Sequence, residues 1–263
     1  MTTETLVAPA KLTLSLSVTG RRPDGYHQLD AEMVSIDLVD SLTFGPGDSL
    51  SVVDEVVGGV GTASVPAGPD NLVVRALALV GRRAAVRVVK RIPAGAGLGG
   101  GSADAAAALR WAGVKDVAVA ARLGSDVPFC LHGGRARVGG VGETLEPLPY
   151  ERRRFVLLVP PLNVSTAAVY RAFDETDAPA RREPGGNDLE EAALRVAPVL
   201  ATWRDRLADA TGCRPRLAGS GATWFVEGTV SETSLDGLGF LEADGVRAAV
   251  VAVTTLPADD GGD

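Results

Sequence analysis

The sequence predicts an α+β protein built from two parts, and three observations support that prediction. Residues 6–18 alternate between apolar and polar side chains, a period of two that is typical of a half-buried β-strand. A glycine-rich stretch, residues 93–102, separates a predicted strand from an alanine-rich helical run. After Pro149 the pattern becomes strand, helices, strand, strand, helix and strand, the order of a ferredoxin-like split βαβ unit. We therefore expect an N-terminal domain over residues 1–149 and a C-terminal ferredoxin-like domain over residues 150–263.

The N-terminal elements follow from local patterns. Residues 22–25, Arg-Pro-Asp-Gly, predict a tight turn, and the alternation of Val34, Ile36 and Leu38 predicts a second strand after it. Residues 124–129 are expected to form a polar turn, because Pro128 biases the residue before it away from helix. Further strands are expected at residues 42–44, 50–52 and 85–92, helices at 71–80, 103–111 and 117–123, and a hairpin region between the glycine pairs 133–134 and 139–140.

The C-terminal elements are predicted in the same way. Strands are expected at residues 155–159, near 217, at 223–226 and at 246–253, and helices at 166–174, 188–195, 198–210 and 232–242. Residues 176–186 are expected to be a polar loop, and residues 258–263 a disordered end.

Composition excludes several classes of protein. A net charge of −7 at pH 7 argues against general nucleic-acid binding. No apolar run reaches membrane-spanning length, and the N-terminus lacks the basic and apolar segments of an export signal. Two cysteines and two histidines are too few for a disulfide framework or a structural metal site. We expect a cytoplasmic protein with neither nucleic-acid nor membrane partners.

The glycine-rich stretch predicts a phosphate-binding loop. Five of the seven residues from Gly95 to Gly101 are glycine, and without Cβ atoms their amides can approach a polyanion. The helix behind them adds free N–H groups and the positive end of its dipole. Ser102 is expected as the N-cap, with Asp104 in the first turn.

Other readings of this loop remain open. Gly95, Gly97 and Gly100 also match the spacing of a dinucleotide-binding fingerprint, as in a Rossmann oxidoreductase. Against it, no clear strand ending in Asp or Glu follows about 20 residues later. A flexible linker is a further alternative, although linkers seldom join a β-run directly to an uninterrupted helix.

Lysine is rare in this chain, which directs attention to its positions. Among 26 basic residues only Lys11, Lys90 and Lys115 are lysines. A lysine ammonium is a compact point charge, whereas the guanidinium of arginine is planar and extended. Lys90 lies just before the glycine-rich stretch. On the residues alone, Lys11 is interpreted as a solvated strand lysine and Asp126 as an ordinary turn or N-cap aspartate.

Several segments together resemble a known superfamily. Residues 9–12 (Pro-Ala-Lys-Leu), 93–102 and 219–221 (Gly-Ser-Gly) resemble the three motifs of the small-molecule kinases typified by galactokinase, homoserine kinase and mevalonate kinase. Within them, residues 19–27, 124–128, 142–143 and 187–189 resemble the family of 4-diphosphocytidyl-2-C-methyl-D-erythritol kinases. The resemblance runs from about residue 8 to 228. It implies an N-terminal domain like the second domain of ribosomal protein S5, a ferredoxin-like C-terminal domain, and Mg²⁺- and ATP-dependent phosphorylation of the C2 hydroxyl of the cytidylyl substrate.

The resemblance also implies roles for individual residues. Asp126 would accept the hydroxyl proton, and Lys11 would sit beside it to orient the acceptor and offset charge. The Ser102 hydroxyl would reach a phosphate or Mg²⁺. ATP binding is implied at Asn71, Lys90, Pro93, Gly95, Gly97, Leu98, Gly99, Gly100, Gly101 and Ser102. Binding of the cytidylyl substrate is implied at Thr13, Tyr26, His27, Gly219 and Ser220.

Three positions depart from the family pattern. Thr13 and Asp104 stand where asparagine is common, and Gly185-Gly186 stand where relatives can place an aromatic ring against the cytosine. Apart from these departures, two further hypotheses stay open. One is another kinase of the superfamily, which would not need the Tyr26-His27 segment. The other is a catalytically silent nucleotide-binding module, against which the presence of both Lys11 and Asp126 speaks.

Overall fold

The fold contains two β-sheets with helices packed against them. The computed structural model describes residues 3–59, 65–176, 185–228 and 239–258. In the first sheet the strands follow the order β3-β4-β2-β5-β6, with β1 paired antiparallel to β2. These strands are β1 Glu4–Arg21, β2 His27–Gly45, β3 Ser49–Asp54, β4 Ala85–Lys90, β5 Arg135–Gly140 and β6 Thr144–Pro147.

Four helices accompany the first sheet in the described part of the chain: α1 Leu72–Leu79, α2 Gly100–Trp111, α3 Val117–Ala121 and α4 Val127–His132. Helix α2 packs against β1, α1 and α4, and its alanines are fully buried. Small side chains let the helix approach the sheet closely, so the glycine-rich loop before α2 is held at the edge of a tightly packed core.

The second sheet follows in sequence, with the strand order β10-β11-β7-β9-β8. Its strands are β7 Arg154–Val159, β8 Arg216–Leu217, β9 Trp224–Glu227, β10 Phe240–Ala243 and β11 Val246–Thr254. The accompanying helices are α5 Thr166–Asp174, α6 Glu190–Val196 and α7 Val199–Thr211. Of the helices that the structure describes, none combines the length and apolarity needed to cross a membrane.

Several predicted elements differ from those of the structure. The segment between the glycine pairs 133–134 and 139–140 is not a hairpin but the single strand β5, which pairs with β6 after the second glycine pair. Residues 42–44 are not a separate strand but the end of the long strand β2. Residues 127–132 form helix α4 instead of a turn, because Pro128 lies in the first turn, where its missing N–H has no intrahelical role. Helix α2 begins at Gly100 with Gly99 as N-cap, so Ser102 is its third residue and not its cap. Asp104 consequently lies beyond the first turn.

A further difference concerns the end of the chain. Most of the helix expected at 232–242 lies outside the described residues, and its final part, Phe240 to Glu242, is strand β10. The predicted loop at 176–186 and the predicted disordered end at 258–263 also lie largely outside the described ranges.

Candidate active site

Lys11 is held inside the fold by strand β1. Its backbone N–H donates to the Leu98 carbonyl at 3.0 Å, which fixes the glycine-rich loop beside the strand. Its ammonium Nζ donates to the Thr13 hydroxyl at 3.1 Å, and the residue is only 5% exposed. The interpretation of Lys11 as a solvated strand lysine is therefore wrong, because Lys11 and its partner Thr13 are both buried.

Asp126 faces Lys11 from the start of helix α4. It occupies the N-cap position, but its side chain makes no capping hydrogen bond. Its Oδ2 instead lies 3.5 Å from Lys11 Nζ. Helix α4 packs against α2 and β1, so the position of the carboxylate is fixed by buried apolar contacts. Two residues more than a hundred positions apart thus form an ion pair beside the glycine-rich loop.

The glycine-rich loop borders an open cavity of about 430 Å³. Every residue of 93–102 except Leu98 lines it, and Leu98 instead buries its side chain in the core. The first N–H groups of α2 belong to Gly100, Gly101 and Ser102 and have no partner within the helix. These donors and the positive helix end make the cavity suited to an anion.

The apolar end of this cavity is organised by Asn71. Asn71 does not itself line the cavity, but its Oδ1 accepts from the Val73 N–H at 2.9 Å and caps helix α1. Its Nδ2 donates to the Pro66 carbonyl, also at 2.9 Å. Pro66 and Leu72, on either side of this cap, are both walls of the cavity. Asn71 therefore shapes the pocket through its neighbours.

Lys90 lies behind the loop in a buried cluster with two carboxylates. Its Nζ donates to Asp104 Oδ2 at 2.6 Å and to Asp40 Oδ2. Burial lowers the pKa of Lys90, but the charges of Asp104 and Asp40 outweigh burial and raise it overall. Burial also raises the pKa of Asp104 to about 7, against the attraction of Lys90. Lys90 is 2% exposed but also lines the loop cavity, so its ammonium lies between the two carboxyl groups and the loop.

A turn from the second sheet closes on the loop. At Gly97 an ideal Cβ would lie 2.6 Å from the Ala218 carbonyl oxygen and 2.7 Å from that of Gly221, so only glycine allows this approach. The Thr223 N–H donates to the Ala96 carbonyl at 3.2 Å and joins the two segments.

Gly219 brings the same turn to Lys11. A Cβ at Gly219 would lie 3.4 Å from Lys11 Nζ. Asn187 holds the turn there, because its Nδ2 donates to the carbonyls of Leu217 at 2.9 Å and Gly219 at 2.6 Å. The neighbouring Ser220 hydroxyl is 2.9 Å from that of Thr166 at the start of α5.

The Tyr26-His27 segment lies at the hairpin between β1 and β2. Tyr26 is 66% exposed, whereas His27 packs against helix α5. The His27 ring stacks on Tyr170 with centroids 4.7 Å apart, and its Nε2 is 2.6 Å from Asp174 Oδ1. Burial and the charge of Asp126 both raise the pKa of the Tyr170 hydroxyl.

The structure thus brings Lys11, Thr13, Asp126 and Gly219 into one cluster next to the loop cavity. Sequence reasoning found these residues but missed Asp40, Tyr170 and Asp174. Residues 170 and 174 share a face of the predicted helix at i and i+4 spacing. That spacing does not reveal that this face contacts His27, which lies 147 positions before Asp174.

The chain matches the family model of the GHMP kinases N terminal domain over residues 71–134. This segment begins at the cap of α1 and ends after α4, so it includes the glycine-rich loop and Asp126.

Curated proteins and solved structures extend the similarity to most of the chain. A protein of Paracoccus denitrificans named 4-diphosphocytidyl-2-C-methyl-D-erythritol kinase is 43% identical over 236 residues, which cover 83% of this chain and 84% of that protein. A crystal structure of 4-(cytidine 5'-diphospho)-2C-methyl-D-erythritol kinase has a TM-score of 0.71 and 35% identity, covering 96% of this chain and 99% of its own. The Methanococcus jannaschii mevalonate kinase, with a TM-score of 0.62 and 11% identity over 97% of this chain and 99% of its own, shares the fold.

Proposed function

The chain belongs to the 4-diphosphocytidyl-2-C-methyl-D-erythritol kinase family of the GHMP kinases, and from this premise we propose how its residues perform the reaction. The enzyme phosphorylates the C2 hydroxyl of 4-diphosphocytidyl-2-C-methyl-D-erythritol with ATP, a step of non-mevalonate isoprenoid precursor synthesis. The observation that supports this function best is the Lys11–Asp126 pair, 3.5 Å apart beside an amide-lined cavity.

ATP occupies the cavity of the glycine-rich loop. Its phosphates accept hydrogen bonds from the amides at the start of α2, where the helix dipole favours negative charge. The apolar walls Val65, Pro66 and Leu72 suit the adenine ring at the other end. Mg²⁺ would enter bound to ATP and would offset charge on the phosphates. Ser102 lines the cavity, and its hydroxyl would contact a phosphate or the Mg²⁺.

Asp126 takes the proton of the acceptor hydroxyl. As that O–H bond breaks, the oxygen bonds to the terminal phosphorus and the bond from phosphorus to ADP breaks. Lys11 holds the acceptor oxygen and offsets the charge of the transferred group, while Thr13 holds Lys11 in place through its hydroxyl. Phosphoryl transfer depends mainly on positioning and electrostatics, so a carboxylate that is a weak base suffices.

The cytidylyl end of the substrate lies along the cleft toward the hairpin. Tyr26 offers an exposed ring for stacking, His27 contacts the edge of the base, and Gly219 and Ser220 border the acceptor. We assign ATP binding to an N-terminal domain, residues 1–149, and a ferredoxin-like domain to residues 150–263. Both substrates are small charged molecules. As expected from the sequence, we assign the activity to the cytoplasm.

A substrate panel tests this function. The purified protein with ATP and Mg²⁺ should release ADP with 4-diphosphocytidyl-2-C-methyl-D-erythritol, and much more slowly with homoserine or mevalonate. The phosphorylated product, identified by ³¹P NMR, should be a monoester at C2. Folded protein that turns over mevalonate or homoserine but not the cytidylyl substrate would reassign it to another branch of the superfamily, and ATP binding without transfer to any alcohol would identify a silent module.

A further inference from the structure

His27 is held on three sides by one face of helix α5. Tyr170 stacks on its ring at 4.7 Å with an interplanar angle of 21°, and Phe173 meets it edge-on at 6.1 Å and 85°. Asp174 lies 2.6 Å from its Nε2. These three residues follow an i, i+3, i+4 pattern, so a single rigid helix fixes the position and tilt of the imidazole.

Asp174 has both carboxylate oxygens engaged. Oδ1 faces His27, and Oδ2 lies 3.3 Å from Arg21 Nη1 at the end of β1. An ionised carboxylate can only accept hydrogen bonds, so the nitrogen that faces it must carry the hydrogen. In a neutral imidazole only one nitrogen does, and the other is an acceptor. The contact with Asp174 therefore places N–H at Nε2 and leaves Nδ1 as an acceptor.

Nδ1 is the ring atom that remains for a ligand. Within the part of the chain that the structure describes, Nδ1 makes no hydrogen bond, and it is not among the buried polar atoms that lack a partner. An acceptor on a fixed ring selects a donor. Cytosine presents an exocyclic amino group on its pairing edge, whereas uracil presents a carbonyl oxygen at the same position.

We propose that Asp174 is a positioning residue that holds His27 in the Nε2–H form and thereby makes this site select cytosine over uracil. The proposal rests on the proposed function, in which His27 contacts the base. It goes beyond that function by assigning the choice of base to a residue of α5 that need not touch the substrate.

The first measurement reads the imidazole directly. Long-range ¹H–¹⁵N spectra near pH 8 distinguish the two neutral forms, and with two histidines in the chain the His27 signals are assigned by their loss in His27→Gln. The native protein should show Nε2–H, and Asp174→Ala should show a mixture. Asp174→Asn should keep Nε2–H, because its amide oxygen still accepts. A matched control is Arg21→Ala, which removes the other partner of Asp174 without touching the ring and should also keep Nε2–H.

The second measurement reads base selection without turnover. Calorimetric titration with CDP and UDP, in the presence of a saturating non-hydrolysable ATP analogue, should favour CDP by about tenfold or more in the native protein and in Arg21→Ala. Asp174→Ala should lose most of that ratio through weaker CDP binding, while its circular dichroism remains native.

Two results would overturn the proposal: a single Nε2–H form in Asp174→Ala, or an unchanged CDP to UDP ratio in that variant. Failure of the proposed function is a different outcome. It would appear as absent phosphorylation of the cytidylyl substrate, whereas the spectra and the CDP to UDP ratio still decide the role of Asp174.

Discussion

Lys90 and Asp104 are in buried contact directly behind the glycine-rich loop, with Nζ 2.6 Å from Oδ2. The same ammonium also contacts Asp40, whose other oxygen accepts from the backbone N–H groups of Arg91 at 2.5 Å and Ile92 at 2.8 Å. Asp104 Oδ1 is buried and has no hydrogen-bond partner in the described structure. One buried cation thus faces two buried carboxylates, and Asp104 is the less well satisfied of the two.

Asp104→Asn should make the stability of the protein less dependent on pH. Because the folded-state pKa of Asp104 is raised to about 7 from 3.8, the folded state retains a proton that the unfolded state has lost across this range. The free energy of unfolding should therefore fall as the pH rises from about 4 to about 7. Asparagine cannot ionise, so the free energy of unfolding of the variant should not show this decrease with pH.

Urea unfolding at about pH 5 and about pH 8 measures the effect. The difference between Asp104→Asn and the native protein should favour the variant more strongly at the higher pH. Asp48→Asn, which removes a carboxylate from an exposed pair with Arg83, is the control and should shift both values equally. An equal difference at both pH values for Asp104→Asn would show that Asp104 is already ionised below neutral pH.

Asp126→Asn should lower kcat by about 100-fold or more while leaving the KM for ATP nearly unchanged. Asparagine removes the group proposed to take the hydroxyl proton, a contribution of roughly 10²–10⁴-fold, without occupying the loop cavity. Asp116→Asn is a matched control on the adjacent helix α3, because its Oδ1 caps that helix and asparagine keeps the cap. Steady-state ADP release checks both variants, and wild-type turnover by Asp126→Asn would remove Asp126 from the mechanism.

Much of the fold follows from short-range patterns in the sequence. The period of two predicted β1, and the Arg-Pro-Asp-Gly turn predicted the hairpin that follows it, because both depend on neighbouring residues. The bounds of α5 were predicted without error, since Ser165 caps it and its apolar spacing is helical. Helix α4 was not predicted, because Pro128 disfavours helix at the residue before it. A proline is nevertheless tolerated in the first turn of a helix, which is where Pro128 lies.

The candidate site was predicted less completely, and the reason is distance along the chain. Asp40 and Lys90 are 50 positions apart, and His27 and Asp174 are 147 apart. No local pattern connects such pairs, since only the closure of the sheet on α2 and the docking of α5 bring them together. Only the resemblance placed Lys11 beside Asp126, because a lysine on an alternating strand gives no sign that another segment covers it.

Gly99→Ala should impair catalysis more than its effect on stability explains. Gly99 has φ of +70°, and an added Cβ would lie 2.8 Å from Lys11 Cγ, so Lys11 must move. Gly113 is the matched control, because it has φ of +79° and nothing within 4 Å of its ideal Cβ. Both alanine variants should lose about 1–2 kcal/mol in the free energy of unfolding from left-handed strain. Only Gly99→Ala should also lose about tenfold or more in kcat/KM, and equal losses in both would show that the strain alone is responsible.

Asn71 and Asn187 form a natural pair for separating the two ends of the site. Each accepts an N–H two residues ahead at 2.9 Å through Oδ1, from Val73 and Leu189 respectively. Each also donates through Nδ2 to carbonyls of a neighbouring segment, Pro66 for Asn71 and Leu217 with Gly219 for Asn187. Replacing either by aspartate keeps the acceptor and removes the donor, so the two variants differ mainly in which segment is released.

Asn187→Asp should lower kcat, because it turns a carboxylate oxygen toward the Gly219 carbonyl and displaces the turn beside Lys11. Asn71→Asp should raise the KM for ATP with little change in kcat, because it releases the Pro66 wall of the nucleotide cavity. Each variant should cost about 1–3 kcal/mol in the free energy of unfolding, so a common loss of stability cannot produce the opposite kinetic patterns. Initial rates over a grid of both substrate concentrations measure kcat and each KM. If both variants change the same kinetic constant, the assignment of Gly219 to the transfer centre and Pro66 to the nucleotide cavity is wrong.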